Sequence, residues 1–290
     1  MNGFEYEKAF SRNLGWVTEA EQARLRRSRV AIAGLGGVGG FHLLTLARLG
    51  VGAFSVAEFD EFDLVNFNRQ IGATMSSLGR SKLEVMVELA RDINPELDIR
   101  VFPKGVQRDN VDDFLRDADV YVDGLDFFAF EARRLTFGAC TRLGVPAVTA
   151  APLGMGTAVL SFLPGRMSFE EYFQLEGQSE DEQGLRFLLG LAPTGLQMAY
   201  LVDRTRLNLA ERRGPSTVMA CQLCAGVAGT ETLKILLQRG ELLAAPWGLH
   251  FDAYRNCLKK TWRPGGNRNL LHRFALRIAR NRLKALKRGQ

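Results

Sequence analysis

The stretch VAIAGLGGVG, residues 30–39, decides the fold of this chain. It begins with four apolar residues, typical of a buried strand, and continues into a turn rich in glycine. The glycines of this turn are Gly34, Gly36, Gly37 and Gly39. A glycine turn between a strand and a helix directs backbone N–H groups at an anion, and it is the general fingerprint of dinucleotide binding. The stretch therefore predicts a nucleotide-binding α/β fold and leaves the nucleotide open.

A second apolar run ends in an acidic pair. The apolar residues among 54–59 predict a second strand, and Glu58 and Asp60 lie at its end. These acids follow the glycines by about 20 residues, where such folds bind ribose hydroxyls. Both are therefore candidates for nucleotide binding, and nothing up to this point excludes NAD.

Two cations follow the acidic pair. Arg69 and Lys82 flank a polar loop. An enzyme that transfers hydride has no evident need for two cations just beyond its ribose-binding acid. A guanidinium suits bidentate contact with phosphate and a lysine supplies a point charge, so the pair would neutralise ATP while its α-phosphate is attacked. The alternative is that both are solvated surface residues, as most Lys and Arg are.

Five short motifs follow one another in a fixed order. They are Gly34–Gly39 (GLGGVG), Glu58 with Asp60, Asn66–Gln70 (NFNRQ), Gly79–Lys82 (GRSK) and Asp123–Asp126 (DGLD). Together they resemble the adenylating domain of the ThiF, MoeB and HesA superfamily, which is related to ubiquitin-activating enzymes. The resemblance covers about residues 8–165. It implies ATP as the nucleotide.

The resemblance also implies a role for each matching residue. Glu58 would bind the ribose, Gln70 would support the loop, and Asp60 and Asn68 would complete the nucleotide site. The phosphates would be bound by Asn66, Arg69 and Lys82.

Asp126 and Arg12 are the remaining predicted site residues. The resemblance implies that Asp126 binds the Mg²⁺ that bridges the phosphates; Asp is also a common N-cap, here before a helix predicted over residues 127–143. Arg12 matches an arginine that the family donates to the ATP of the partner subunit, which implies a homodimer with Arg12 acting in trans. Its alternative is an ordinary surface arginine in an N-terminal arm.

The chain departs from the family pattern at several positions. Val65 replaces a small hydroxylated residue, and Glu58 replaces the more frequent Asp. Zinc-bearing members use two Cys-x-x-Cys pairs, whereas this chain has one, Cys221 with Cys224, so zinc is not expected. Core packing, redox or metal use, and covalent catalysis remain open for this pair. Residues 165–220 contain no Cys, which argues against a thioester relay there.

The charge is concentrated at one end of the chain. Asp252 is the last acid, and 12 basic residues follow it, so residues 1–252 hold 26 basic and 32 acidic residues. Apolar residues near helical spacing predict a basic amphipathic helix over about residues 269–288. This helix would dock on the protein, contact an anionic membrane surface, nucleic acid or an acidic carrier protein, or be disordered beyond Lys284.

Alternating strands and helices predict an α/β, Rossmann-like, doubly wound and mainly parallel sheet with an N-terminal helical arm and a C-terminal basic helix. Four segments are expected. They are an arm at 1–28, an adenylating domain at 29–165, a crossing segment with further sheet and helix elements at 166–255, and a basic tail at 256–290. Residues 167–215 would form a lid or docking surface, or an insertion that only buttresses the sheet or a dimer. Few cysteines, a polar N-terminus and the lack of a long apolar run predict a cytoplasmic protein, with the tail as a route to the membrane surface.

These observations favour an adenylyltransferase that uses ATP and Mg²⁺ to activate a carboxylate. The expected substrate is the C-terminus of a small ubiquitin-like or sulfur-carrier protein. A carboxylate on tRNA, as in tRNA threonylcarbamoyladenosine dehydratases, is the alternative. A non-catalytic nucleotide-binding scaffold and a nicotinamide oxidoreductase are the alternatives from other classes.

Overall fold

The computed structural model of the protein describes residues 3–206 and 214–288. Within them, the strands form one eight-stranded sheet in the order β3-β2-β1-β4-β5-β6-β7-β8. The strands are β1 Arg29–Ala33, β2 Ala53–Ala57, β3 Asp98–Phe102, β4 Val120–Asp123, β5 Ala147–Leu153, β6 Gly156–Phe162, β7 Trp247–Asp252 and β8 Cys257–Trp262. Strands β1 to β5 pair in parallel and β6 to β8 extend the sheet antiparallel. The predicted Rossmann-like, mainly parallel fold is confirmed.

Helices cover both faces of this sheet. They are α1 Tyr6–Ala9, α2 Glu19–Arg27, α3 Gly39–Arg48, α4 Lys82–Ile93, α5 Val111–Leu115, α6 Phe130–Leu143, α7 Phe169–Phe173, α8 Glu180–Leu191, α9 Val218–Leu237 and α10 Leu270–Arg288. Helices α3, α4 and α9 bury one apolar cluster against the sheet. Helices α5 to α8 bury the other. The sheet is therefore doubly wound.

Strand β1 lies at the centre of the five parallel strands, and its sequence does not alternate between apolar and polar residues. Val30 and Ile32 point into the first cluster, and Ala31 and Ala33 point into the second. All four are fully buried. A strand covered on both faces needs apolar residues at every position, which accounts for the continuous run VAIA.

Several predicted element bounds were wrong. Helix α6 begins at Phe130 rather than residue 127, and its N-cap position is Ala129, so Asp126 does not cap this helix. Strand β8 was missed, and it lies in the segment predicted as a basic tail. The sheet also runs across the predicted boundary at residue 165. The division into four segments stays a prediction.

The two termini form the predicted helical elements. Thr18 and Glu21 make a complete capping box that starts α2 of the N-terminal arm. Helix α10 packs on α8, where the guanidinium of Arg280 donates to the carboxylate of Glu182 over 2.8 Å. Within the described residues, no helix combines the length and apolar character that crossing a bilayer requires.

Candidate nucleotide site at the carboxyl edge of the sheet

Three loops meet at one edge of the sheet because β1, β2 and β4 are parallel neighbours. They are residues 34–38 after β1, residues 58–81 after β2 and residues 124–129 after β4. The order of the sheet reverses between β1 and β4, and ligands of open α/β sheets bind at such a switch point. The predicted motifs are thus brought to the place where the fold forms a crevice.

The glycine turn after β1 is shaped by close backbone contacts. Gly34 has a φ of +83°, which favours glycine, and its N–H donates to the carbonyl of Ala57 over 2.8 Å. A Cβ atom at Gly39 or at Gly124 would overlap the carbonyl oxygen of Gly34. Gly124 was not among the predicted site residues, although it lies inside the DGLD motif. The turn after β1 and the loop after β4 therefore fit together through three glycines.

Glu58 fixes the same turn from the end of β2. Its side chain is buried, and Oε2 accepts from the N–H of Leu35 over 2.8 Å. Oε1 accepts from the N–H groups of Phe59 and Asp60, over 2.8 and 3.0 Å. Glu58 therefore orients the glycine turn in this structure. A contact with ribose would use the lone pairs that these bonds leave.

Lys82 is the first residue of α4, and its ammonium is 3.1 Å from the carboxylate of Asp60. The lysine side chain is 7% exposed, whereas that of Asp60 is 52% exposed. A buried ammonium needs a partner, and Asp60 supplies it. Asp60 thus holds Lys82 in place, and this pairing was not foreseen from the sequence.

The loop after β2 brings the NFNRQ motif against the glycine turn. A Cβ on Gly37 would lie 3.8 Å from Cδ of Arg69, and one on Gly36 would lie 3.6 Å from Nε2 of Gln70. Asn66 is buried, and its Oδ1 accepts from the N–H of Asp63 over 2.9 Å.

The side chains of Arg69 and Gln70 differ in their hydrogen bonding. Arg69 Nη1 donates to Val65 O and to Asn68 Oδ1, over 2.8 and 2.9 Å. Gln70 is 7% exposed, and its buried Oε1 has no hydrogen-bond partner within the described part of the chain. An unpaired buried acceptor is unfavourable, so this loop carries a local cost in stability.

The loop after β4 is held by a buried ion pair that sequence reasoning missed. Arg133 of α6 lies 2.8 Å from the carboxylate of Asp123, and both side chains are 2% exposed. Its guanidinium also donates to the carbonyls of Leu125, Asp126 and Phe127, over 2.7, 2.9 and 3.1 Å. Arg133 thereby fixes the loop that carries Asp126. No motif spacing pointed to this arginine.

Asp126 itself is exposed. Its Oδ1 accepts from the N–H of Phe128 over 3.0 Å, which caps a turn within the loop. The described residues include no group of three or more His, Cys, Asp or Glu side chains placed to hold a metal. Mg²⁺ is commonly bound through one or two carboxylates together with substrate phosphates, so an exposed Asp126 suits that use.

Cys221 lies at the same crevice, in the first turn of α9. Its Sγ would be 3.3 Å from a Cβ on Gly37. Burial raises the pKa of this thiol, although Ser216 and Arg69 oppose the rise. Cys224 is fully buried, and its Sγ is 3.2 Å from the hydroxyl of Thr157. A buried, protonated thiol is a poor nucleophile, which supports the packing interpretation of the pair.

The crossing segment reaches the carboxyl edge at two points. Thr217 donates to Gly154 O over 2.7 Å, and Asn68 Nδ2 donates to Ser216 O over 3.0 Å. The hydroxyl of Tyr200 accepts from the N–H of Met155 over 2.8 Å. Of Tyr200, Ser216 and Thr217, Tyr200 alone lies within 167–215, so the role of that stretch as a lid, docking surface or buttress stays a prediction, and 207–213 lie outside the described residues.

Arg12 is the one predicted site residue that the structure places elsewhere. It is exposed in the arm, and the neighbouring Asn13 donates to Leu49 O over 3.0 Å. Leu49 follows the C-terminal end of α3, whereas the glycine turn precedes its first residue. Ten helical residues separate these ends by about 15 Å. Arg12 is therefore remote from the crevice of its own chain.

The sequence is similar to those of known proteins. The chain is 31% identical over 150 residues to the tRNA threonylcarbamoyladenosine dehydratase of Haemophilus influenzae, covering 51% of this chain and 57% of that one. It is 30% identical over 236 residues to the probable adenylyltransferase/sulfurtransferase MoeZ of Mycobacterium tuberculosis, covering 77% and 51%. The chain thus spans little more than half the length of either relative.

The fold is shared with solved structures. The crystal structure of PaaA superposes with a TM-score of 0.67 at 16% identity, covering 90% of this chain and 74% of that one. The ThiF family model matches residues 10–269, well beyond the stretch in which the motifs were found. With the glycine turn, the NFNRQ loop and the DGLD loop gathered at one edge of the sheet, the chain belongs to the ThiF family.

Proposed function

We propose that this protein is an ATP-dependent adenylyltransferase that activates a carboxylate as an acyl adenylate and releases pyrophosphate. The observation that carries the proposal is the meeting of three loops at the sheet edge. One is the glycine turn, the second carries Arg69 and Gln70 and leads into Lys82 at the start of α4, and the third carries Asp126. This set supplies anion-binding backbone, two cations and a carboxylate within one crevice.

In the proposed reaction, a carboxylate oxygen of the substrate attacks the α-phosphorus of ATP. The bond from the α-phosphorus to the bridging oxygen breaks, and pyrophosphate leaves with that electron pair. Arg69 and Lys82 would stabilise the charge that develops on the phosphate oxygens. Little covalent chemistry is asked of the protein, so positioning and charge neutralisation would supply most of the acceleration.

Glu58, Asp60, Asn66 and Asn68 would complete the nucleotide site. Gln70 would support the loop, because its side chain lies beside Gly36 of the glycine turn. Asp126 would hold Mg²⁺, which when bound neutralises phosphate charge.

The proposal includes a homodimer. Asn13, next to Arg12, contacts Leu49 at the far end of α3 from the glycine turn, and this helix is about 15 Å long, so Arg12 would act on the ATP of a second copy. The arm also exposes Trp16, which is 85% exposed and available to a partner. We place the enzyme in the cytoplasm.

For the substrate, we favour the C-terminal carboxylate of a small ubiquitin-like or sulfur-carrier protein. The crossing segment supports this choice, because it lies against the carboxyl edge where an extended chain end would enter. The likeness to the Haemophilus influenzae dehydratase supports a second candidate, a carboxylate carried by tRNA.

The test is ATP–pyrophosphate exchange with Mg²⁺, measured with candidate carrier proteins and separately with total tRNA. We expect exchange that depends on one of these substrates and falls by about 100-fold or more in Arg69→Ala and Asp126→Ala. Arg80→Ala is the matched control. Arg80 lies in the same loop as Arg69 and pairs with Glu88 over 2.7 Å, away from the glycine turn, so this variant should keep full exchange.

Other results would select another class of function. ATP binding without exchange in either arm, unchanged in Arg69→Ala, would favour the nucleotide-binding scaffold. Tight NAD binding that is indifferent to Mg²⁺ would favour the oxidoreductase. Exchange that is equal in wild type and Asp126→Ala would remove Asp126 from the site and leave the adenylation itself in place.

A further inference from the structure

Helix α10 has two different long faces. The inner face is buried, with Leu276 and His272 each 2% exposed. It is pinned to α8 by the pair of Arg280 with Glu182, a carboxylate that also pairs with Arg186 over 2.7 Å. Burial acts to raise the pKa of Glu182, but Arg280 and Arg186 together outweigh it and lower that pKa. The helix is thus fixed to the body of the protein, and its outer face is turned away from it.

The outer face carries large apolar side chains in contact with solvent. Leu270 is 77% exposed, Phe274 is 66% exposed and Ile278 is 40% exposed. These residues are four apart, so they form one stripe that is about 12 Å long on the helix surface. An exposed apolar stripe of this kind marks an interaction surface.

Positive charge borders the stripe. Arg273 and Arg277 are exposed beside it, and the sequence continues with Arg282, Lys284, Lys287 and Arg288. No acidic residue occurs after Asp252. The described surface is therefore apolar along its centre and cationic at its edge, and the sequence that follows is basic.

We propose that the outer face of α10 docks on an anionic lipid surface. Leu270, Phe274 and Ile278 would enter the boundary between headgroups and acyl chains, and the arginines would contact the headgroups. Nucleic acid would use the arginines but would leave the apolar stripe without a partner. A second copy would bring one basic helix against another, which like charges oppose. The helix would lie in the plane of the membrane surface, because no described helix can cross a bilayer.

The test uses the full chain and two kinds of vesicle, phosphatidylcholine alone and phosphatidylcholine with phosphatidylserine. Co-sedimentation should show binding only to the anionic vesicles, weakened by high salt. Phe274→Glu should lower the partition coefficient by about tenfold or more. It removes a phenyl ring that would enter the membrane, and it adds a negative charge that the anionic lipids repel. The double variant Arg273→Glu with Arg277→Glu should lower it by a similar factor. Val202→Glu is the control, since Val202 is 99% exposed and lies outside α10.

The outcomes separate the occupants of this face. Equal sedimentation of wild type and Phe274→Glu, with thermal unfolding showing both folded, would refute the proposal. The proposal would also be refuted if the protein bound neither kind of vesicle but bound tRNA, and Phe274→Glu left the tRNA binding unchanged. A dimer that Phe274→Glu dissociates, again without vesicle binding, would assign the face to a second copy. None of these measurements depends on adenylation activity.

Discussion

The two walls of the crevice are built in different ways. The wall after β1 is a glycine turn whose shape comes from backbone packed on backbone, where Gly34 packs on Gly39 and on Gly124 of the facing loop. The wall after β4 takes its shape from one buried side chain, Arg133, which binds three carbonyl oxygens while paired with Asp123. One wall depends on the absence of side chains, and the other depends on a single charge. The two should therefore fail under different substitutions.

The largest effect is expected at Gly39. The Cβ of Gly39→Ala would overlap Gly34 O, which is backbone and cannot move aside without displacing the turn. We expect a loss of more than about 4 kcal/mol of unfolding free energy, or no folded protein. Gly36→Ala is the matched control, because its Cβ would meet Gln70 at an ordinary 3.6 Å. Denaturant unfolding measures both, and equal stability of the two variants would contradict the backbone account of this wall.

Arg133→Met tests the other wall. Removing the guanidinium leaves the Asp123 charge buried and three carbonyls without their donor, so we expect a loss of about 3–5 kcal/mol. Arg134→Met is the neighbouring control. Its side chain is 28% exposed and pairs with Glu170 near the surface, so it should lose no more than about 1 kcal/mol.

A second substitution sharpens this test. Asp123→Asn in the Arg133→Met background should recover part of the stability, because the uncompensated buried charge is then gone. If Arg133→Met alone unfolds the protein no more easily than Arg134→Met does, the wall is held by something other than this ion pair.

His42 lies behind both walls and makes stability depend on pH. It is buried in α3, and neither ring nitrogen has a hydrogen-bond partner among the described residues. Burial lowers the pKa of His42 from 6.5 to about 4, although the charge of Asp123 opposes the shift. The unfolded chain therefore binds the proton more tightly, and stability falls as pH drops from 6.5 to about 4.

His42→Leu should remove this contribution. The wild type should lose up to about 3 kcal/mol more than the variant over that pH range. Unfolding free energies at the two ends of the range measure the difference. The buried His250 and His272 also have lowered pKa values and titrate in both proteins, so only the difference between the two proteins is assigned to His42. If the unfolding free energies of the two proteins change equally with pH, His42 does not titrate in this way.

The sequence predicted the first wall far better than the second, for a physical reason. Positions that need a missing side chain leave glycines at fixed spacing beside a strand, and this pattern is local. Arg133 is ten residues beyond Asp123, and their contact depends on where α6 begins. That start was misplaced by three residues, because residues 127–129 (FFA) contain no Gly or Pro to mark the turn. The pairing of Lys82 with Asp60 and the approach of Cys221 to Gly37 depend equally on tertiary packing.

The smallest effect on stability is expected for Asp126→Asn, which separates the shape of the second wall from its chemistry. The shape comes from the carbonyls of residues 125–127 and Arg133, none of which the substitution changes. The Asn oxygen can still accept from the N–H of Phe128, so unfolding free energy should change by less than about 0.5 kcal/mol. ATP–pyrophosphate exchange should nevertheless be lost, since the amide has no charge for Mg²⁺. If the variant is stable and keeps normal exchange, the second wall only supports the glycine turn. If the variant unfolds easily, the carboxylate of Asp126, rather than Arg133, fixes the loop.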